Sequence, residues 1–347
     1  MRAAVYRGPR DLVVEERPVP ALGPRDVLLE VSHCGVCGSD LHMFVDGWGA
    51  PNSIGGHEFS GRVVAVGDDV TAWKSGDAVV GGPARRCGEC EYCREGRPQL
   101  CTGRANPGVG EFQGAFADFV RVDEAELLRI PPGLSMRAAA LAEPLAVALH
   151  GLTRGGVREG QRILVTGCGP IGALSVAAAR ARGVTDVVVS EPHPARRALG
   201  ERLGATAIAP DELVAPRMPF DLVDDPFDVV LECSGHSAAM EAGLAQLKRG
   251  GTLVLVGAGM NRPRLDNNRI LLNELVITGA FVYDPDGFPR SLELLASPEF
   301  PTDVLIEPDD VPLDGLYSAV ERLVSGDLPA KVLIAPRRES RDNGGAR

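Results

Sequence analysis

Four cysteines fall within fifteen residues, as Cys87-x2-Cys90-x2-Cys93-x7-Cys101. Four thiolates in one short loop can close a tetrahedron around a single Zn2+, leaving no open position, and a closed site of that kind is structural. The loop, CGECEYCREGRPQLC, is polar and carries charges of both signs. That opposes core burial of all four sulfurs, and the ligand set favours zinc over an iron–sulfur cluster. Such an ion would hold a segment with too little apolar surface to fold alone.

A second set of possible donors is scattered. Cys37-Gly38-Ser39-Asp40-Leu41-His42 precedes Gly56-His57-Glu58, with 20 residues between Cys37 and His57. Thiolate and imidazole are ligands that a catalytic zinc commonly uses, and a carboxylate could complete the set. Spacing alone leaves a satisfied core histidine equally open. Glu143 is an acid amid apolar residues in Leu141-Ala142-Glu143-Pro144-Leu145. It either serves the metal or complements the start of a helix opened by Pro144.

The third constellation is Gly167-x-Gly169-x-x-Gly172, with Pro170 and Ile171 inside it. It follows the apolar run Ile163-Leu164-Val165 and opens a helical stretch, Ala173 to Arg180. Glu191 ends the next strand, 24 residues after Gly167. Glycines there allow a tight turn and bring a pyrophosphate to a helix N-terminus, while the acid bonds the ribose hydroxyls. A carboxylate repels a 2′-phosphate, so NAD is expected over NADP, although Arg196 and Arg197 lie close by. Val256, ending the run Thr252 to Val256, joins the coenzyme-binding candidates.

Positioning these groups requires two kinds of scaffold. A chain of 347 residues exceeds what one hydrophobic core usually serves. Its first half reads as short strands between Gly/Pro turns: Val27 to Val31, Gly61 to Gly67 and Asp77 to Val80. No long helix is expected before the Ala-rich stretch near residue 136. From Arg162 strands and helices alternate, through Val187 to Val189, Pro194 to Leu203, Asp228 to Leu231, Ser237 to Leu247, Thr252 to Val256 and a last strand, Val276 to Val282. Alternation of that kind implies a parallel sheet covered on both faces. A helix near Leu313 to Val324 and a strand, Lys331 to Ile334, close the fold, and a disordered tail is expected from Arg337 to Arg347.

Composition narrows the function classes. Hydrophobic residues are 44% and charged residues 24%, as in ordinary globular chains. Net charge is −11, from 36 Lys plus Arg against 47 Asp plus Glu, which disfavours nucleic acid as a partner. The longest apolar runs are too short to cross a bilayer, and MRAAVYRGPRDLVVEE lacks the apolar core of a secretory signal. A soluble cytoplasmic protein is expected, and its eight cysteines should then form no disulfide framework.

Taken together, CGVCGSDLH at Cys34 to His42, GGHEFSG at Gly55 to Gly61, the cysteine quartet, AEPLAVALHG, VTGCGPIG and ECSG occur in one order. The chain resembles the zinc-dependent medium-chain alcohol dehydrogenases, most closely the sorbitol, butanediol and threonine dehydrogenase branch, from Met1 to about Pro336. The resemblance implies an α/β architecture: a GroES-like β-rich catalytic domain (1–150 and 285–347, with a zinc lobe at about 85–103) around a Rossmann doubly wound coenzyme domain (151–284). It implies two zinc ions and NAD, a small alcohol, polyol or cyclitol as substrate, and a homodimer or homotetramer paired through the last Rossmann strand.

Position by position, Cys37 and His57 resemble the anchoring ligands of the catalytic zinc. Glu58 resembles an adjacent acid that reaches the metal in polyol dehydrogenases, and Glu143 the acid of the EP motif, which binds directly or through water. Ser39 resembles the hydroxyl that meets the substrate oxygen, His42 a proton relay, Asp40 an acid orienting His57, and Arg196 a basic group near the adenosine ribose. Cys34, Cys168 and Cys233 resemble packing residues. Phe44, Trp48 and Phe112 are candidates for an apolar substrate pocket. The segment between His42 and His57 (MFVDGWGAPNSIGG) is shorter than in many polyol dehydrogenases.

Overall fold

The computed structural model describes residues 1–82, 86–104 and 113–337. In the N-terminal part, β1 (Arg2–Gly8) and β2 (Asp11–Glu16) form a hairpin. Then come β3 (Asp26–Gly35), α1 (Gly38–Asp46), β4 (Glu58–Val66), β5 (Ala78–Gly81), α2 (Glu91–Arg94), β6 (Phe119–Asp123), β7 (Leu127–Arg129), α3 (Met136–Ala139) and α4 (Ala142–Arg154). The alternating series is β8 (Arg162–Thr166), α5 (Pro170–Ala181), β9 (Asp186–Ser190), α6 (Pro194–Arg202), β10 (Thr206–Ile208), β11 (Phe227–Glu232), α7 (Ser237–Ala245), β12 (Leu247–Leu255), α8 (Asn267–Leu272) and β13 (Val276–Gly279). The chain ends with α9 (Gly287–Ala296), α10 (Thr302–Leu305), β14 (Val311–Pro312), α11 (Leu316–Ser325) and β15 (Leu333–Ala335).

The alternating part is a parallel sheet of order β10-β9-β8-β11-β12-β13. Strand order reverses between β8 and β11, which opens a crevice at their carboxyl ends. The turn after β8 carries the glycine motif, and Cys233-Ser234-Gly235 follows β11 on the other side of that crevice. The β-rich part is a sheet of order β14-β15-β3-β4-β5-β7, with β6 also on β3. Its core includes Tyr6, Leu29, Ile54, Phe116 and Leu316, so the C-terminal residues complete the N-terminal domain.

Two elements differ from the sequence expectation. A nine-residue helix, α1, stands well before residue 136. It buries only Asp40, Met43 and Phe44, too short an apolar stripe to register as a helical period. The last Rossmann strand stops at Gly279 rather than Val282, and Val282 has φ 56°, which breaks an extended ladder. Residues 338–347 of the expected tail, and Phe112, lie outside the described residues. No helix among the described residues is long and apolar enough to cross a membrane.

Candidate metal centre and coenzyme cleft

Three strand ends meet at the scattered donors. β3 and β4 are antiparallel with Gly35 opposite Glu58, so Cys37, just beyond β3, comes beside His57, just before β4. One donor atom each from Cys37, His57 and Glu58 lie within 4.8 Å of one another. Thiolate, imidazole and carboxylate are a donor set suited to zinc with one position left open. Space for the Glu58 carboxylate exists because residue 35 is glycine: a Cβ there would stand 2.1 Å from Glu58 Oε2.

Asp40 pins both ligand-bearing segments. Its carboxylate accepts the backbone N–H of Cys37 at 2.9 Å and of Gly56 at 3.3 Å, while His57 Nδ1 stands 3.9 Å from Oδ1. Its contact with His57 is therefore an ion-pair approach, and its hydrogen bonds go to the backbone. Burial pushes the Asp40 carboxyl up against the pull of His57. Ser39 Oγ faces His57 Nε2 at 3.5 Å. Burial lowers the proton affinity of His57, but Cys37 and Asp40 outweigh it and hold the imidazole well above its ordinary value.

Glu143 sits in the first turn of α4, which begins at Ala142 rather than at Pro144, so Glu143 is inside the helix and not ahead of it. It is buried at the same cluster, where burial pushes its carboxyl up to about 7, opposed by His57 and reinforced by Glu58. It falls outside the three-donor group.

The residue sequence reasoning missed is Lys331. It arrives from just before β15, which pairs with β3 through Leu333 and Gly35. Its ammonium donates to Glu58 Oε1 at 2.8 Å and to Val36 O at 3.0 Å, and lies 2.7 Å from Glu58 Oε2. The side chains are 1% and 0% exposed. Burial disfavours the ammonium, yet Glu58 and then Cys37 keep Lys331 above the usual lysine range. One signal was available: Lys331 is one of the chain's lysines, Lys74, Lys248 and Lys331, and it precedes Val332-Leu333-Ile334-Ala335, an apolar run.

The other cysteines sort cleanly. Donor atoms of Cys87, Cys90, Cys93 and Cys101 lie within 4.8 Å of one another, and Cys101 Sγ is 3.4 Å from Cys87 Sγ. Zn–S bonds of about 2.3 Å give tetrahedral edges of roughly 3.8 Å, so the four sulfurs fit one ion. Backbone N–H groups of Cys87 and Cys90 point at the sulfurs of Cys101 and Cys87, each at 3.3 Å. Cys34 and Cys168 are buried, Cys233 lies 3.7 Å from Ser175 Oγ, and none of the three joins a metal-binding group among the described residues.

Across the cleft, the glycine motif forms the turn into α5, where Pro170 and Ile171 are the first helical residues. A Cβ on Gly172 would stand 2.0 Å from Gly167 O, so this crossing admits no side chain. Glu191 is buried, its oxygens accepting the N–H groups of Cys168 at 2.7 Å and His193 at 2.9 Å. Arg196 donates to Leu323 O at 3.0 Å, and its guanidinium carbon would be 4.0 Å from a Cβ on Gly169. Arg197 is turned away, donating to Glu191 O and Pro192 O at 2.7 Å. Val256 follows β12 at its carboxyl end, half-buried against Gly151.

His42, on α1, bridges the two halves. Nδ1 meets Asp46 Oδ2 at 2.7 Å and Nε2 meets Ala258 O at 3.2 Å, while Trp48 stacks on the ring at 4.5 Å. Trp48 Nε1 reaches Met260 Sδ at 3.1 Å, so Trp48 stands at the cleft. Phe44 is buried, its ring 5.9 Å from that of Tyr6.

Comparison with known proteins agrees with this arrangement. The alcohol dehydrogenase GroES-like domain family matches residues 23–132, and the zinc-binding dehydrogenase family matches residues 170–297. Sorbitol dehydrogenase of Bacillus subtilis (strain 168) is 34% identical over 352 residues, covering 97% of this chain and 98% of its own. The chain belongs to the zinc-dependent medium-chain alcohol dehydrogenases. An L-threonine 3-dehydrogenase of Chelativorans sp. (strain BNC1) is 32% identical, with 88% of this dehydrogenase and 90% of that protein covered. A zinc-binding dehydrogenase of Sinorhizobium meliloti 1021 solved with NADP superposes with a TM-score of 0.85 at 31% identity, covering 96% of this dehydrogenase and 99% of that chain. The dehydrogenase is thus a zinc-containing oxidoreductase acting on alcohol CH–OH groups.

Proposed function

We propose that this dehydrogenase oxidises a secondary hydroxyl of a polyol or cyclitol-type substrate with NAD. The observation that carries the reading is the convergence of Cys37, His57 and Glu58 donors at a cleft whose opposite wall is the Rossmann crevice. Cys37, His57 and Glu58 would hold the catalytic zinc, with the buried Glu143 as a further carboxylate near them. A zinc ion there supplies Lewis acidity, which lowers the proton affinity of an alcohol oxygen. Ser39, 3.5 Å from His57 Nε2, would accept that proton, and His42, against Ala258 O, would carry it outward. Glu191 and the Gly167 to Gly172 turn would orient the coenzyme, with Arg196 toward its adenosine end; the carboxylate disfavours a 2′-phosphate. The quartet Cys87, Cys90, Cys93 and Cys101 would hold a second, structural zinc.

Hydroxy amino acids are the competing substrate class, in view of the threonine dehydrogenase relative. Edge strand β13, with Val276 exposed and Leu271 and Leu272 exposed on the helix before it, is the surface proposed to pair with a second copy. Eight unpaired cysteines, several of them metal-donor candidates, suit a reducing cytoplasm. Zinc analysis and NAD reduction on a panel of polyols, cyclitols and hydroxy amino acids test the reading. About two zinc ions per chain with polyol-dependent reduction support it. About one zinc per chain and no turnover of any alcohol would sink it.

A further inference from the structure

Helix α1 ends on an acid, Asp46, four residues after His42, so the two side chains share one helical face. Asp46 Oδ2 is 2.7 Å from His42 Nδ1. The helix stops at Gly47, left-handed at φ 80°, and the chain turns back on itself. The Trp48 N–H then meets His42 O at 3.3 Å, and the indole stacks on the imidazole at 4.5 Å and 22°. Carboxylate and stack together fix the rotation of the ring. Its other nitrogen, Nε2, crosses to the coenzyme domain and meets Ala258 O at 3.2 Å. That carbonyl borders the turn after β11: a Cβ on Gly235, left-handed at φ 71°, would stand 2.0 Å from it.

Both polar neighbours of the ring are acceptors with no proton to give, a carboxylate and a peptide carbonyl. A neutral imidazole has one N–H and serves one of them; serving both takes the doubly protonated ring. The two contacts are unequal. An approach of 2.7 Å to a carboxylate is short and charge-assisted, whereas 3.2 Å to a carbonyl is at the long end of ordinary hydrogen bonds. When the ring holds a single proton it therefore stays on Nδ1, against Asp46, and the bare nitrogen is Nε2. Neutral histidine in water favours the opposite arrangement. The pair is 22% and 37% exposed, and exposed pairs contribute little to stability, so what the contact decides is which nitrogen is basic.

We propose that Asp46 is a positioning residue for the proton relay: by holding Nδ1–H of His42 it leaves Nε2 to take a proton at the cleft and park it against Ala258 O. In that step an N–H bond forms at Nε2 as an O–H bond breaks at the water or hydroxyl that delivers the proton. Asp46 answers the charge on the ring, and the same proton then leaves Nε2 for a base in solvent, which restores the Nδ1–H form. The proposal rests on the polyol dehydrogenase reading, and its test separates the two.

Nitrogen-15 spectra of the histidine rings test the arrangement, with His42 assigned by its absence in His42→Gln. In alkaline solution, where the ring holds one proton, His42 of wild type should carry it on Nδ1, and in Asp46→Ala it should revert to Nε2. Rates of NAD reduction at neutral pH and low buffer concentration test the role, with the fastest substrate among sorbitol, xylitol and inositol. Asp46→Ala should lose about tenfold in kcat with KM within about twofold, and should melt within about 2 °C of wild type. Raising inorganic phosphate, a diffusible base, should restore kcat in Asp46→Ala and leave wild type unchanged, a response that a packing defect does not give. A proton on Nε2 in neutral wild type, an unchanged kcat in Asp46→Ala, or a loss that phosphate does not relieve overturns the proposal and leaves the polyol reading standing. Absence of turnover on all three compounds and on other polyols overturns that reading, and the relay with it.

Discussion

Replacing Lys331 by Met removes the cation paired with Glu58 while keeping most of the side-chain volume. Both partners of that pair are sealed from water, at 1% and 0% exposure. Its ammonium carries two contacts to the carboxylate, at 2.7 and 2.8 Å, and one to Val36 O at 3.0 Å. Breaking a buried pair by deleting one partner leaves an uncompensated charge and costs about 3–5 kcal/mol, although replacing both partners can be neutral. At about 2 °C per kcal/mol for a chain of this size, the melting temperature should fall by roughly 6–10 °C. The double variant Glu58→Gln, Lys331→Met should recover most of that loss, a coupling of about 2 kcal/mol or more. Protonation fixes the pH range. The lysine is held above its ordinary value of 10.5, so its contribution is complete below that value and is lost as pH rises beyond it. The gap between wild type and Lys331→Met should therefore stay constant from roughly pH 7 to 9 and narrow only in strong alkali. Calorimetry of the four proteins of the cycle is the assay. A single variant within about 1 kcal/mol of wild type, or a double variant no better than the sum of the singles, refutes the reasoning.

Three further expectations are independent of that pair. Cys37→Ser should abolish turnover in a folded protein, whereas Cys93→Ser should mainly lower the melting temperature; zinc analysis should show about one ion lost in each case. Glu191→Ala strips acceptors from the N–H groups of Cys168 and His193. It should cost about 1–3 kcal/mol in denaturant melts and lower kcat/KM for NAD more than for NADP. Arg269→Met orphans the carbonyls of Leu244, Ala245 and Asp221, which its buried guanidinium now serves. A urea midpoint shift worth about 3 kcal/mol, with KM for substrate unchanged, is the expected outcome.

What was legible in the sequence follows the distance over which each site is assembled. The cysteine quartet and the glycine turn are built from consecutive residues, so spacing alone states their geometry. β8, β9, β11 and β12 declared themselves by alternation, since buried parallel strands are apolar throughout, whereas β10, three residues long and not buried, carried no such signal. The donors Cys37 and His57 are joined only by the pairing of β3 with β4, and family resemblance rather than spacing brought them together. Lys331 is 273 residues from Glu58, and no local pattern announces such a partner. Helix α1 escaped because its apolar side is one turn long, while its N-terminus is fixed by a buried carboxylate on the Cys37 N–H. Arg197 looked equivalent to Arg196 in the sequence, but its side chain folds back onto the carbonyls of Glu191 and Pro192.

The Glu58–Lys331 pair also bears on why one cysteine-containing site would be inert and the other reactive. In the quartet every donor is a thiolate from a single loop, so bound charge is fully answered within the loop itself. At the other centre the carboxylate is shared: a lysine that donates to Glu58 Oε1 and stands 2.7 Å from Oε2 draws charge from the group a metal would use. A ligand already engaged by a buried cation donates less, and a metal so held keeps more of its Lewis acidity for an incoming oxygen. The neighbouring groups of a ligand tune a metal in this way by holding its orientation and its charge together. Removal of Lys331 should accordingly tighten zinc at this centre while slowing turnover, a pairing of effects that simple loss of packing would not produce.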